Sequence, residues 1–372
     1  MRWLVIAGLA ACTGSNDGWQ WQLPRGFPRP AVPPENPMSA AKVELGRYLF
    51  YDERLSVNQT MSCASCHAPD KAFSDGRAMP SGATGEPLPR NALGLQNVAY
   101  MGTYTWANPV IETLEQQVVI PMFNEHPVEL GMTMDPDGIL ARLRGDSTYS
   151  PLFAAAFPER ADPIDREVVI FSLSSFLRSM ISGDSPYDRY QYSADHAALG
   201  ASAQRGRTLF FSERLDCYHC HTGLDFTGSF RNDQTAVKIH SFENDGLYNI
   251  GGDGSYPPGN QGLYEFTGLD RDKGRFRVPT LRNVALTAPY MHDGSLATLD
   301  DVIDMYARGG RLIETGPFAG DGAQNPNKNA LVRGFALSAA ERADLIAFLE
   351  SLTDLTFVRS PALADPWIAA SH

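Results

Sequence analysis

Apolar residues recur at helical spacing over residues 43–50 of the chain. Ser39 is suited to cap a helix, and the apolar positions Val43, Leu45, Leu49 and Phe50 that follow fall on one face. A helix with such a face buries it against other elements, because exposed apolar surface is unfavourable in water. The pattern therefore predicts an amphipathic helix that packs on a hydrophobic core.

Three further segments carry helical signals. Thr113 opens a helix that is predicted to end at Pro121, because proline cannot continue the helical hydrogen bonds. The longest apolar helix is expected over residues 165–182. Ser338 and Glu341 form a capping box before another apolar run. No strand-rich region or nucleotide-binding glycine pattern competes, so the predicted fold class is mainly α.

Strings from the first half of the chain recur in the second half. The matching strings are Gly46-Arg47-x-Leu49-Phe50-x-x-Glu53-Arg54-Leu55 and Gly206-Arg207-x-Leu209-Phe210-x-x-Glu213-Arg214-Leu215. A second echo pairs Leu95-x-Asn97-Val98-Ala99 with Leu281-x-Asn283-Val284-Ala285. In the second copy, a helix over 203–211 takes the place of the first predicted helix. Internal duplication predicts two similar domains, at residues 25–190 and 200–360, with the boundary near 190–201.

Composition narrows the function classes. With 372 residues, 43% of them hydrophobic, the chain is long enough to build two cores. The formal net charge is -12, so the basic surface that attracts nucleic-acid phosphates is missing. We therefore expect a globular protein that does not bind nucleic acid.

The first twelve residues have the pattern of an export signal. Arg2 precedes an apolar run from Trp3 to Ala11 that is too short to span a bilayer as a helix, and Cys12 follows it. Small residues before a cysteine are typical of a lipobox, in which Cys12 would be lipidated after cleavage. An ordinary secretory signal cut nearby is the alternative. Both interpretations predict a periplasmic protein, and the first adds a lipid anchor at Cys12.

The four other cysteines lie in two Cys-x-x-Cys-His strings. These strings are Cys63-Ala64-Ser65-Cys66-His67 and Cys217-Tyr218-His219-Cys220-His221. Such a string offers two thiols to attach the vinyl groups of a porphyrin and an imidazole to bind its iron. One copy alone would also suit a zinc or thiol-redox site. Two copies in a duplicated, exported chain predict two covalent c-type haems, with His67 and His221 as proximal iron ligands.

Together these motifs resemble the bacterial di-haem cytochrome c peroxidase and MauG family, over nearly the whole mature length. Within that family, the strings Gly26-Phe27-Pro28, Asn36-Pro37-Met38-Ser39-Ala40-Ala41-Lys42-Val43-Glu44-Leu45-Gly46 and Trp106-Ala107-Asn108-Pro109 are most similar to the MbnH branch. The resemblance implies two cytochrome c-like domains. The N-terminal one would carry the peroxidatic haem and the C-terminal one the electron-transfer haem.

The first haem is expected to have an open iron. In conventional members of the family, a histidine between the first Cys-x-x-Cys-His and an Arg-Asn pair binds the resting haem. The stretch 68–90 contains no histidine here. The resemblance to MauG then implies a five-coordinate iron that reacts with peroxide without prior reduction. Met61 and Met79 are the competing ligands, with packing as their alternative role.

A loop at 124–129 supplies the candidate for moving a proton between the peroxide oxygens. By resemblance, Glu129 matches the catalytic glutamate of the family, and Gln117 and Pro121 match positions in its distal pocket. His126 has no counterpart in the family string. It has two alternative interpretations, as a residue on the distal side of the first haem or as a histidine on a surface loop.

The second haem is expected to be six-coordinate. Its usual ligand in the family is a methionine fourteen residues after the histidine of a Pro-Tyr-x-His-Asp-Gly string. Counting from His292 of that string reaches Tyr306, and tyrosine is also the ligand in MauG. A phenolate favours ferric iron more than a thioether does. The alternatives are Met305, which lies roughly 100° around the same helix, and Met291.

The resemblance also implies a tryptophan that carries electrons between the haems and a calcium ion at their interface. Trp106 matches this tryptophan, with a buried core aromatic as the alternative. Asn91, Thr287 and Pro289 match the calcium positions, where side-chain and backbone oxygens suit a hard cation. His292 is expected close to the second haem.

These features predict an enzyme that uses hydrogen peroxide, forms high-valent iron and oxidises a partner protein. The resemblance to the MbnH branch points to a tryptophan side chain of that partner, oxidised towards kynurenine. One alternative is a conventional cytochrome c peroxidase that removes hydrogen peroxide with electrons from a small cytochrome or cupredoxin. The other is a non-enzymatic electron-transfer cytochrome, in which both irons are six-coordinate.

Overall fold

A computed structural model describes residues 19–236 and 241–369 of the chain. The predicted signal peptide, with Cys12 of the lipobox, lies outside the described residues. None of the described helices is both long enough and apolar enough to cross a membrane.

Helices dominate the first half of the chain. In order they are α1 (Ala40–Phe50), α2 (Leu114–Phe123), α3 (Pro136–Arg144), α4 (Tyr149–Ala156), α5 (Arg166–Arg178) and α6 (Pro186–Tyr192). Side-chain caps set several of their starts, because an oxygen at the N-cap accepts a bond from a free helical N–H. Ser39 accepts from Lys42 N at 3.1 Å, as its position in the sequence predicts.

The second half is also helical, but longer irregular segments separate its helices. Its helices are α7 (Ala201–Phe210), α8 (Cys217–Cys220), α9 (Tyr264–Thr267), α10 (Leu299–Arg308), α11 (Ala339–Glu350), α12 (Leu355–Val358) and α13 (Pro366–Ala369). The strands among the described residues are two residues long and form two antiparallel pairs. They are β1 (Phe242–Glu243) with β2 (Phe276–Arg277), and β3 (Leu312–Ile313) with β4 (Gly320–Asp321). The described chain is therefore mainly α, as predicted.

The duplication in sequence is also a duplication in packing. Helix α1 packs on α5 in the first half, and α7 packs on α11 in the second. A Cβ at Gly46 would lie 2.0 Å from the carbonyl oxygen of Ser172, and one at Gly206 would lie 1.8 Å from that of Asp344. Only glycine allows such close approach of two helices. The repeated glycines thus mark the same contact in both halves.

The second echo also has one structural role. Asn97 and Asn283 both adopt a left-handed backbone with φ of 58° and start short 3-10 turns. Asn97 N donates to Met180 O at 2.9 Å, and Asn283 N donates to Leu352 O at 3.0 Å. Each asparagine therefore holds the chain just after the last long helix of its half.

Two predicted helix ends differ from the structure. Helix α2 continues through Pro121 to Phe123, because the proline removes only its own N–H bond while Met122 is fully buried in the core. Helix α5 ends at Arg178 rather than at 182. Tertiary bonds take over there, since Asn97 Oδ1 accepts from Ser182 N at 2.7 Å.

The far end of the chain packs on the first half. Phe357 lies with its ring centroid 5.5 Å from that of Phe73, and Trp367 lies 5.0 Å from Tyr48. The indole N–H of Trp367 also donates to Tyr48 O at 3.2 Å. Phe357, which lies in the predicted second domain (200–360), thus belongs to the core of the first half, and Trp367, beyond that range, packs against the same core.

Candidate functional site

The first Cys-x-x-Cys-His string forms a tight turn after Ser62. Residues Cys63–Ser65 make one 3-10 turn. The His67 ring lies with Nδ1 2.7 Å from the carbonyl oxygen of Phe73, which itself has a φ of 61°. Because a carbonyl can only accept, Nδ1 carries the hydrogen. The Nε2 atom of His67 is therefore left with a lone pair for a metal.

The second string has the same arrangement. His221 follows α8, and its Nδ1 donates to the carbonyl oxygen of Phe226 at 3.1 Å. Phe226 also has a positive φ, of 50°. Burial lowers the pKa of His221 to about 4, so the imidazole is neutral, as a metal ligand must be. The two strings therefore present equivalent imidazoles.

The four cysteines suit thioether bonds. They form no disulfides within the described chain. Burial raises the pKa of Cys66 and of Cys220 to about 11, so both thiols are protonated in the absence of a cofactor. Neutral thiols beside a neutral imidazole match the donor set of a c-type haem. The residues present therefore fit this group at both strings.

A cavity of about 250 Å³, named the second cavity after the second Cys-x-x-Cys-His string, adjoins that string. Its lining combines the functional groups with a largely apolar wall. The residues that define the site are Cys217, Cys220, His221, Tyr306, Met291 and His292, and the apolar wall includes Val278, Leu281, Ile303, Leu345 and Leu349. An apolar cleft with a few polar groups is typical of a cofactor site.

Tyr306 shares this cavity with His221, whereas Met305 is not among the lining residues described. Met305 is 4% exposed and belongs to a buried cluster with Leu247 and Phe276, against which Tyr306 also packs. Neighbouring residues on a helix point about 100° apart, and this separates the two side chains of α10. Met291 also lines the cavity, so it stays an alternative to Tyr306 as the ligand.

Sequence reasoning missed Asp245 in the same cavity. Burial raises its pKa to about 6, and its charge is one of the causes, after burial, that raise the pKa of Tyr306 far above the usual value. An uncoordinated phenol at this position therefore stays protonated. Asp245 lies in irregular chain after β1 and belongs to no motif, so no pattern in the sequence indicates it.

Glu129 lies beside the first string. Burial raises its pKa to about 7. Its charge is also a minor cause, after burial, of the raised pKa values of Cys63 and Cys66, which locates the carboxylate near both thiols. Two backbone bonds fix the loop, from Ala83 N to Glu129 O at 2.7 Å and from Leu130 N to Pro121 O at 2.9 Å.

The other predicted distal residues differ in their surroundings. The Oε1 atom of Gln117 is buried and has no hydrogen-bond partner among the described residues, as expected for a group that faces a bound ligand. His126 is exposed on the loop. Of the two methionines considered for the first haem, Met79 is 57% exposed and Met61 packs against the first core.

Trp106 lies at the wall of the second cavity, where its indole N–H donates to Asn91 O at 2.8 Å. Asn91, Thr287 and Pro289, the three predicted calcium residues, line the same cavity. The Nδ2 atom of Asn91 donates to Arg77 O at 2.6 Å. All four residues therefore line one cavity, although they come from both halves of the chain.

His292 is buried beside Trp106. Its ring stacks on Phe276 with centroids 3.6 Å apart and planes 10° apart. Burial lowers the pKa of His292 to about 3, and Nε2 has no hydrogen-bond partner among the described residues. The ring is thus neutral and lines the second cavity.

Comparison with known proteins supports one family. A family model described as di-haem cytochrome c peroxidase matches residues 40–197. The methylamine utilization protein MauG of Methylorubrum extorquens is 33% identical over 90% of this chain and 83% of its own length. The chain belongs to the di-haem cytochrome c peroxidase and MauG family.

Two further similarities extend this result. The cytochrome-c peroxidase IdrP1 of a Pseudomonas species is 33% identical over 94% of this chain and 91% of its own length. A crystal structure of a MauG-like protein associated with microbial copper homeostasis is 48% identical and has a TM-score of 0.91, covering 94% of this chain and 99% of that one.

Membership confirms several predictions. The chain is a di-haem oxidoreductase of the peroxidase and MauG type, with two c-type haems and two cytochrome c-like halves. Its relatives are peroxidases and MauG proteins, so peroxide and a partner protein or electron donor are its reactants.

Covalent attachment can be tested directly. Thioether bonds survive unfolding whereas axial bonds do not. We expect the denatured wild-type protein to retain two haems per chain, and the Cys63→Ala/Cys66→Ala variant to retain one. Haem content after acid denaturation, measured as the pyridine complex, gives this count. Retention of none or of both haems by the variant would contradict the assignment of these cysteines.

Proposed function

We propose that this protein is a peroxide-dependent di-haem oxidase that withdraws electrons from a partner protein, with a tryptophan side chain as the oxidised group. The observation that carries this proposal is Tyr306, which lines the second cavity together with His221, whereas Met305 does not line it. A phenolate ligand stabilises ferric iron, so it suits a haem that is oxidised further rather than one fed by electrons.

In this proposal each haem is held by one cysteine pair and one histidine. Cys63, Cys66 and His67 would hold the first, and the corresponding trio after α7, together with Tyr306, would hold the second. When bound, the haems supply the redox chemistry and share two oxidising equivalents taken from peroxide. The backbone carbonyl of Phe73 keeps His67 in the tautomer that leaves Nε2 for iron.

Glu129 moves the proton at the first haem. It accepts a proton from one peroxide oxygen and delivers it to the other as the O–O bond breaks. A pKa of about 7 suits this exchange near neutral pH, because the carboxyl can both accept and donate there. Gln117 would assist through its buried amide oxygen, which has no hydrogen-bond partner among the described residues. The exposed position of His126 favours Glu129 over it.

Trp106 is the electron relay between the haems. Its indole lines the second cavity, and its N–H is held by Asn91 O, which fixes the ring. Asn91, Thr287 and Pro289 together would hold one calcium ion, and this ion would stiffen the contact between the halves.

The substrate side of the proposal rests on export and on similarity. The signal sequence directs the protein to the periplasm, with an anchor at Cys12 if the lipobox is used. The MauG-like protein of known structure is associated with microbial copper homeostasis. We therefore expect the partner to be an exported protein that works in copper handling.

One experiment separates this function from the alternatives. Diferric protein is mixed with hydrogen peroxide, first alone and then with the protein encoded beside it. We expect an immediate change in haem absorption without a reductant, followed by the mass change of kynurenine formation in the partner. A requirement for prior reduction would instead support a conventional peroxidase, and a diferric protein without any high-spin haem would support an electron carrier.

A further inference from the structure

A cluster of aromatic rings extends from Trp106 away from the second cavity. The ring of His292 lies 6.4 Å from that of Trp106 and 6.5 Å from that of Tyr248, measured between centroids. The His292 ring is neutral, because burial lowers its pKa to about 3. His292 therefore places no positive charge between Trp106 and Tyr248. These two oxidisable side chains are connected through the His292 ring by two centroid distances of 6.4 and 6.5 Å.

Tyr248 has a proton acceptor in place. Its phenol O–H donates to Asp293 Oδ2 at 2.5 Å. The other oxygen of this carboxylate accepts from Ser295 N at 3.0 Å, and this bond fixes its orientation. A phenol that loses an electron becomes a strong acid, so its oxidation is favourable when a base is already hydrogen-bonded to it. The Tyr248–Asp293 pair has this arrangement.

A neighbouring tyrosine lacks such a base. Tyr256 lies 5.4 Å from Tyr248 between ring centroids, and its O–H donates to the amide oxygen of Asn244 at 2.9 Å. An amide is a hydrogen-bond acceptor but does not take up a proton at neutral pH. Tyr256 is closer to His292 than Tyr248 is, at 6.0 Å between centroids, but no base accepts its phenol proton when it is oxidised.

The cluster reaches the surface beyond Tyr248. The ring of Phe318 lies 6.2 Å from that of Tyr248 and is 39% exposed. The guanidinium of Arg311 lies 5.7 Å from the Tyr248 ring centroid. This positive charge disfavours a protonated, cationic tyrosine and favours the neutral form that remains after the proton has moved to Asp293.

We propose that Tyr248 is a redox-active residue through which an oxidising equivalent leaves the haems towards the surface at Phe318. Tyr248 gives one electron to the peroxide-oxidised haems by way of Trp106. Its O–H bond breaks as the proton binds Asp293 Oδ2, and a neutral tyrosyl radical remains. An external donor at the surface returns one electron, and Asp293 returns the proton.

This inference rests on the proposed function in one respect, since peroxide must first oxidise the haems and Trp106 must relay the electron. The test therefore records both events. Diferric protein is mixed with hydrogen peroxide, haem absorption is followed by stopped flow, and samples frozen at the same times are examined by electron paramagnetic resonance. Protein made with ring-deuterated tyrosine identifies a tyrosyl radical by its narrowed signal.

We expect the wild-type protein and Tyr256→Phe, the matched control, to give this radical as the haem signal decays. Tyr248→Phe should lose it, and Asp293→Asn, which removes the proton acceptor, should lower its yield by about tenfold or more. Two haems per chain in each variant confirm folding. A haem response with no tyrosyl radical, or with an equal radical in Tyr248→Phe, would overturn the route alone. Absence of the haem response in wild-type protein would overturn the proposed function with it.

Discussion

Replacing Tyr306 by methionine is expected to raise the reduction potential of the second haem. A neutral thioether takes the place of an anionic oxygen that stabilises ferric iron, and the change should be on the order of 10² mV, within the roughly 0.8 V that axial ligands span. The diferric variant should then react poorly with peroxide, because the second oxidising equivalent is less readily stored. Spectroelectrochemical titration and stopped flow measure the two effects.

Met305→Leu is the matched control for this substitution. Met305 is buried among Leu247 and Phe276 and is not among the residues that line the second cavity. Leucine keeps most of its volume, so the low-spin spectrum and the potential should be unchanged. If Met305→Leu removed the low-spin signal while Tyr306→Met kept it, methionine would be the ligand and the conventional peroxidase would become the better proposal.

Glu129→Gln is expected to slow the reaction of the first haem with peroxide by about 10²-fold or more. Glutamine keeps the shape and the hydrogen-bonding capacity of the side chain but cannot exchange a proton. Peroxide should still bind, so its apparent affinity should change much less than the rate. His126→Gln serves as the control on the same loop and should react at the wild-type rate.

The pH dependence of this reaction gives a second readout. Burial raises the pKa of Glu129 to about 7, and the carboxylate form is the one that accepts the peroxide proton. The rate should therefore rise as pH increases through about 7 and level off above it, and the Glu129→Gln rate should lack this step. A wild-type rate in Glu129→Gln together with a slow His126→Gln would transfer the role to His126.

Local signals in the sequence predicted the parts of the fold that depend on local physics. Ser39 and Ser338 cap their helices as expected, because capping requires only residues three positions apart. The repeat of Gly46 at Gly206 predicted two equivalent units, and the structure adds the reason, which is close helix contact in both. The predicted end of α5 was wrong because Asn97, which is distant in sequence, accepts a hydrogen bond from Ser182 N there.

The residues of the candidate site also fall into those that a local motif predicts and those that it does not. The two Cys-x-x-Cys-His strings are contiguous, so the sequence alone indicated where each haem would bind. Asp245 and the Tyr248–Asp293 pair carry no motif, and their significance comes only from what surrounds them in space. The role of Trp106 could be predicted only from the family resemblance. Its contacts with Asn91 and His292 come from both halves of the chain, and no local pattern in the sequence indicates them.

The packing of Phe357 and Trp367 on the first half bears on protein engineering. A cut near residue 195 would divide the chain at the sequence boundary, yet the first fragment would lack the aromatic partners of Phe73 and Tyr48. Phe73 also supplies the carbonyl that orients His67. The halves are therefore not interchangeable modules. A single-haem version of the first half would need residues 355–369 supplied as a separate or fused segment.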